Sequence, residues 1–182
     1  RSIDYLRHQF FIYENWPGGV FVSPALLGTR PGGTIAAAWA AMVAQGEAGY
    51  MKNAKIIMDT SRKIQQGIES IKGMEILGKP ESSVFAYRSV EPDVNTFAIG
   101  DILEKKGWHV DRLQRPDALH AMITPIHAKI TQRFINDVKE AFTTVRKNPK
   151  LAYEGGAAMY AMISHIPMRK MIRKNILKMM EG

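Results

Sequence analysis

The sequence contains no cysteine. That excludes a disulfide-stapled secreted domain, a thiolate nucleophile, and a thiolate-held zinc or iron–sulfur site. No apolar run is long enough to cross a bilayer. The longest lightly charged stretch, Thr34 to Gln45, falls short of the roughly 20 residues a spanning helix needs. The first nine residues are polar and mixed in charge, without the apolar centre of a signal peptide. The five histidines nowhere take the i, i+4 spacing of a helical metal site. Helix-turn-helix, RRM, KH and zinc signatures are missing too, so nucleic acid is not an expected partner. Internal repeats and low-complexity segments are also absent.

What remains is an ordinary globular composition. Of 182 residues 46% are hydrophobic, too many for a disordered chain. The length suits roughly one domain, two at most. Lysine and arginine number 25 against 17 acidic residues, a net charge of +8. Much of that charge sits in the last eighteen positions, where Arg169, Lys170, Arg173, Lys174 and Lys178 face Glu181 alone. With Met159, Met162, Met168, Met171, Met179 and Met180 interleaved, this tail reads as a basic amphipathic helix. It either packs on its own domain or touches an acidic or lipid surface.

Tyr5 to Tyr13 is aromatic-rich and reads as a strand or a buried extended run. A long loop rich in proline and glycine follows, Pro17 to Gly33, with Val20, Phe21 and Val22 inside it. Thr34 is placed to cap an alanine-rich helix, interrupted at Gly46 and Gly49. A second helical pattern runs from Tyr50 to Ile71, closed by Gly73. Beyond it, strands at Met74–Leu77 and Val84–Arg88 precede a helix over Asn95–Lys106. Strands at Trp108–Leu113 and Leu119–Ile123 then precede an amphipathic helix over His127–Lys147. That order predicts an α+β domain in which helices cover an antiparallel sheet.

The most unusual stretch is Ser23 to Gly33, SPALLGTRPGG. A hydroxyl and an arginine, hemmed in by glycines, stand just before a helix N-terminus. Such a place suits a phosphate or carboxylate, and equally a simple chain reversal. Trp16, Trp39 and Trp108 are expected as core or interface anchors. His120 is expected as a core or interdomain residue, and His127 as a cap or first residue of the following helix.

The run Gly18–Gly33 (GGVFVSPALLGTRPGG), with Trp39–Ala41 (WAA) and Gly46–Tyr50 (GEAGY), resembles the sphingosine-1-phosphate lyase family. These are pyridoxal-phosphate (PLP) enzymes of the group II decarboxylases, with fold type I. The resemblance continues through Lys106–Trp108 (KGW), Leu119–Ala128 (LHAMITPIHA), Lys147–Lys150 (KNPK) and Gly156–Met162 (GAAMYAM). The Arg-Pro-Gly element alone points only to the wider decarboxylases, and an amino-acid decarboxylase or a stand-alone basic binding module are the competing readings.

The resemblance implies an α/β enzyme of fold type I, of which residues 1–72 form the end of the large cofactor domain. Residues 73–150 would be the small α+β C-terminal domain and 151–182 a basic helical tail. It implies retro-aldol cleavage of a phosphorylated long-chain base into a fatty aldehyde and phosphoethanolamine, with PLP as cofactor. Gly28, Thr29 and Arg30 would lie at the cofactor, Thr29 reaching the phosphate of a neighbouring subunit. Arg30 would either bind that phosphate or pair with a carboxylate. Tyr160 would lie at the phosphate end of the substrate, or else pack its ring at a surface. The lysine that forms the Schiff base is expected upstream of Arg1, so no catalytic residue is assigned here, and the lack of an initiator Met fits a partial polypeptide. Expected partners are the upstream part of the same enzyme, a second subunit sharing the active site, and a phospholipid-like substrate. The expected location is the cytosol or a cytosol-facing membrane surface.

Overall fold

A computed structural model describes residues 3–17, 19–23 and 28–164; the basic tail beyond Ser164 lies outside the described residues. The chain divides into two compact units, residues 1–50 and 51–182.

In the first unit a helical turn, α1 (Ile3–Leu6), and a 3-10 turn (Arg7–Gln9) precede two antiparallel strands, β1 (Phe11–Trp16) and β2 (Gly19–Ser23). Tyr5–Tyr13 is therefore helical at its start and extended only from Phe11. Nor is it buried: Phe11, Ile12 and Tyr13 are consecutive and all exposed. Successive strand residues face opposite sides, and a two-stranded ribbon covers neither. The Val20–Val22 part of the expected loop pairs with β1, Val22 opposite Ile12 and Phe21 opposite Tyr13.

Helix α2 runs Gly32–Glu69, with a non-helical Gly46 at φ 58° and ψ 176°. Glycine alone takes that backbone shape readily, which accounts for the interruption read there; Gly49 stays helical. Thr34 is not the cap. It lies inside the first turn, and its hydroxyl donates to the Pro31 carbonyl at 2.9 Å.

The second unit follows the expected plan. Its four-stranded sheet has the order β3 (Met74–Ile76), β4 (Val84–Ser89), β6 (Ala118–Met122), β5 (Asp111–Leu113), with every pair antiparallel. α3 (Thr96–Lys105) starts at Asn95, whose side chain accepts from the Ala98 N–H at 3.0 Å. It ends before Gly107, at φ 89°, where a left-handed residue closes the helix. The turn between β5 and β6 contains the cis Arg115–Pro116 bond. α4 spans Thr131–Lys147 behind a 3-10 turn, Pro125–Lys129. A second 3-10 turn, Pro149–Tyr153, leads into α5 (Gly155–Ser164).

Phe85 and Tyr87 on β4 and Leu119 on β6 form the covered face of the sheet. They join Phe97, Ile99 and Leu103 of α3, Val138, Phe142 and Val145 of α4, and Ile64 and Ile68 of α2 in one core. The amphipathic pattern over His127–Lys147 thus buries Val138, Ala141, Phe142 and Val145, with Phe134 partly buried beside them. Tyr87 is fully buried, and burial drives its phenol well above the ordinary tyrosine range.

Candidate functional site

Gly28, Thr29, Arg30 and Pro31 lie exposed immediately before α2. Pro24 to Leu27, earlier in the same segment, lie outside the described residues. Among the described residues, no atom stands within 4 Å of where a Cβ on Gly28, Gly32 or Gly33 would sit. The segment therefore offers open backbone, a hydroxyl and a guanidinium at the start of a 38-residue helix. These groups fit the phosphate end of PLP: hydrogen-bond donors, a fixed positive charge, and room for an anion beside the backbone. They do not fit its aldehyde end, since no lysine lies between Arg1 and Lys52. Trp39 is 64% exposed on α2, so it is no core anchor of its own unit. The Trp16 side chain lies outside the described residues.

In the second unit Tyr160 projects from α5 onto α3 and β5. Its ring centre lies 5.6 Å from that of Phe97 and 5.1 Å from the guanidinium carbon of Arg112. Arg112 is 6% exposed at its side chain. Nη1 donates to Glu104 Oε1 at 2.6 Å and Nη2 to Glu104 Oε2 at 3.0 Å, while Nη2 also pairs with Asp101. Among the described residues its Nε is buried without a hydrogen-bond partner. Hydrogen bonding from Arg112 holds the Glu104 carboxyl below the usual carboxylate range, against the opposing effect of burial. The pairing with Glu104 in turn raises Arg112.

Asp101 reaches further. Its Oδ2 accepts from the Ala157 N–H at 2.9 Å, so a carboxylate of α3 caps the N-terminus of α5. Sequence reading missed this group. The signal was there: acidic residues three apart on α3, Asp101 and Glu104, share a face, and a Gly-Gly pair opens the next helix.

The Lys106-Gly107-Trp108 motif ties the end of α3 to α4. Trp108 Nε1 donates to Asp137 Oδ2 at 2.9 Å, and Lys106 donates to Asp137 and Glu140 at 3.0 and 2.9 Å. Arg133 lies over the Trp108 ring at 5.2 Å, and Phe134 meets it edge-on at 5.0 Å. Trp108 is thus an anchor, as expected.

His127 caps the 3-10 turn ahead of α4. Its Nδ1 accepts from the Thr124 N–H at 2.8 Å, which places the proton of the neutral ring on Nε2. His120 stands on β6 with Nδ1 3.7 Å from Asp111. Both line a cavity of about 280 Å³ floored by Ile64, Tyr87, Ile123 and Phe134, which neither Gly28–Arg30 nor Tyr160 lines. Among the described residues, no group of three His, Asp or Glu side chains is arranged to hold a metal, and no helix is long and apolar enough to cross a membrane.

No protein-family model matches the chain. Individual proteins do. A sphingosine-1-phosphate lyase of Oryza sativa is 43% identical over 176 residues, which is 97% of this chain and 32% of the relative. One of Arabidopsis thaliana is 36% identical over all 182 residues, 33% of its length. The chain thus spans about a third of the length of the curated relatives it matches. Among solved structures, the sphingosine-1-phosphate lyase of Burkholderia pseudomallei superposes on 90% of this chain and 36% of its own, with a TM-score of 0.72 and 34% identity. A glutamate decarboxylase of Lactobacillus brevis shares the fold at a TM-score of 0.60 and 16% identity, over 75% of this chain and 33% of its own. On these likenesses the chain is similar to sphingosine-1-phosphate lyases over nearly its whole length, and it has the architecture of a segment of fold type I PLP enzymes.

Proposed function

We propose that this chain is part of a PLP-dependent lyase that cleaves phosphorylated long-chain bases of the sphingosine 1-phosphate type, releasing a fatty aldehyde and phosphoethanolamine. The observation that carries the reading is the 43% identity to a sphingosine-1-phosphate lyase across 97% of the chain. In that reading residues 1–72 end the large domain, 73–150 form the small domain, and 151–182 are a basic tail. The enzyme works as a homodimer with a shared active site, in the cytosol or on a cytosol-facing membrane surface.

PLP, when bound, supplies an electron sink for the carbon that loses its bond to the departing aldehyde. The residues of this chain bind and orient. Thr29 donates its hydroxyl to a phosphate oxygen, and Gly28 leaves the backbone open to the anion. Arg30 offers parallel N–H donors to the same phosphate or to a carboxylate that holds the segment in place. Tyr160 donates its hydroxyl at the phosphate end of the substrate. None of these groups carries the cofactor, so the reading places the cofactor-bearing lysine outside these 182 residues.

The test uses the full-length enzyme supplied with PLP and a phosphorylated sphingoid base, and follows release of long-chain aldehyde. Borohydride reduction and peptide mapping then locate the cofactor. Aldehyde release, with the reduced cofactor on a lysine outside residues 1–182, supports the reading. Carbon dioxide released from an amino acid instead, or the cofactor found on Lys52, Lys55 or Lys63, overturns it.

A further inference from the structure

Among the described residues, two contacts of α5 lead to one guanidinium. The first is its N-terminus. The Ala157 N–H donates to Asp101 Oδ2, and the other oxygen of Asp101 pairs with Arg112 Nη2. The approach is so close that only glycine fits. A Cβ on Gly156 would lie 2.7 Å from Asp101 Oδ1, and one on Gly155, at φ +52°, 3.1 Å from Oδ2. The second point is the Tyr160 ring, one helical turn beyond Ala157, held between Phe97 and Arg112.

Arg112 has no freedom of its own. Glu104 takes both Nη atoms in a two-point pairing, Asp101 takes Nη2 again, and the side chain is buried. A planar fork with three carboxylate contacts has one orientation, and a lysine cannot reproduce it. The direction of the Tyr160 ring is therefore set by α3 and β5 through Arg112, as well as by α5 itself.

We propose that Arg112 is a positioning residue for Tyr160: by holding both the start of α5 and the Tyr160 ring, it fixes where the Tyr160 hydroxyl meets the substrate. The proposal rests on the reading that this hydroxyl contacts the phosphate end of the substrate.

The experiment uses the full-length enzyme in four forms: unaltered, R112K, Y160F and R112K/Y160F. KM and kcat are measured with a phosphorylated long-chain base, and 3-fluorotyrosine at position 160 reports on the ring by fluorine NMR. R112K should keep kcat within about twofold and raise KM about tenfold. Y160F should do the same, and the double variant should be no worse than either single one. The fluorine signal, single and sharp in the unaltered enzyme, should shift and broaden in R112K. If R112K does not fold, D101N is read in its place, since it keeps an acceptor for Ala157 but removes one of the two charges that hold Arg112.

An unchanged fluorine signal in a folded variant overturns the positioning role. R112K effects that add in full to those of Y160F, or that lower kcat and thermal stability alone, show a structural role and overturn it too. A Y160F enzyme with unaltered KM overturns the reading of Tyr160 and with it the proposal's link to substrate; the fluorine signal then separately shows whether Arg112 fixes the ring.

Discussion

The Asp101 carboxylate caps a helix that begins 54 residues later in the chain: its Oδ2 accepts from Ala157 N–H at 2.9 Å. A cap from another element ties local helix formation to tertiary packing. Gly156→Ala puts a methyl carbon only 2.7 Å from Asp101 Oδ1, and Asp101 cannot retreat without weakening its pairing with Arg112. The substitution should cost about 1–3 kcal/mol. Asp101→Ala removes the cap and leaves the buried Arg112 with Glu104 as its one carboxylate partner among the described residues, a loss of about 2–4 kcal/mol. Urea denaturation measures both. If the two are combined and the losses simply add, the carboxylate is not what Gly156 makes room for.

The Trp108 indole N–H reaches Asp137 across the gap between α3 and α4. Trp108→Phe keeps the aromatic contact with Phe134 but leaves the half-buried carboxylate one donor short. A loss of about 1–2 kcal/mol is expected. Asp137→Asn in the same background should cost less than it does in the unaltered protein, because the indole bond is already gone and only the pairing with Lys106 and Arg133 is left to weaken. A thermal-melt double-mutant cycle decides the matter, and a coupling near zero would rule out the hydrogen bond as a source of stability.

The helices and sheet of the second unit were legible because their signals are local. Asn95 caps α3, Gly107 closes it, and the apolar spacing on α4 from Phe134 to Val145 is the buried face. The first unit was harder to read. Val20 to Val22, flanked by Pro17, Gly19 and Pro24, looks like loop until it is paired with Phe11 to Tyr13, and pairing is a non-local property. Thr34 has the chemistry of a cap, yet the helix begins two residues earlier and its hydroxyl turns back to Pro31. At the candidate site, Gly28, Thr29 and Arg30 drew attention through their order along the chain. Asp101, Glu104 and Arg112 did not, since the two acids mark only a shared face of α3, and the fold alone brings Arg112 of β5 to that face. Tyr160 stood out through its motif, while its neighbours Phe97 and Arg112 are distant in sequence and came only with the fold.

Gly67 of α2 lies directly against Ile135 of α4. A Cβ there would lie 2.5 Å from Cδ1 of Ile135 and 2.9 Å from its Cγ2. Because the atoms met belong to one side chain near its own Cβ, rotation alone does not clear them. Gly67→Ala should therefore destabilise by about 1–3 kcal/mol, although alanine is the better helix former. Adding Ile135→Ala should recover part of that loss relative to Ile135→Ala alone. Denaturant midpoints of the four proteins test it, and a stabilising Gly67→Ala would mean that the helices move apart freely.

The ion pairs around α3 and α4 set a direction for the pH dependence of stability. Glu104 is held below the ordinary carboxylate range by hydrogen bonding from Arg112. At Asp137 burial acts upward but is outweighed by the bonds from Trp108 and Lys106, and the net direction is again down. A carboxyl with a lower pKa folded than unfolded makes the unfolded chain bind more protons in acid. Its contribution is therefore complete above the ordinary carboxylate value of about 4 and disappears as pH falls through the folded value. Lys106 works in the opposite sense: Glu140 and then Asp137 raise it. Its contribution is complete below the ordinary lysine value of about 10.4 and disappears as pH rises through the folded value. Stability should accordingly be flat across neutral pH and fall at both ends. Urea denaturation from pH 3 to pH 11 should show Glu104→Gln and Asp137→Asn less stable at pH 7 but less sensitive to acid, and Lys106→Met less sensitive to alkali. Parallel acid limbs for Glu104→Gln and the unaltered protein would mean that the Arg112 pairing persists in the unfolded chain or contributes nothing to folding.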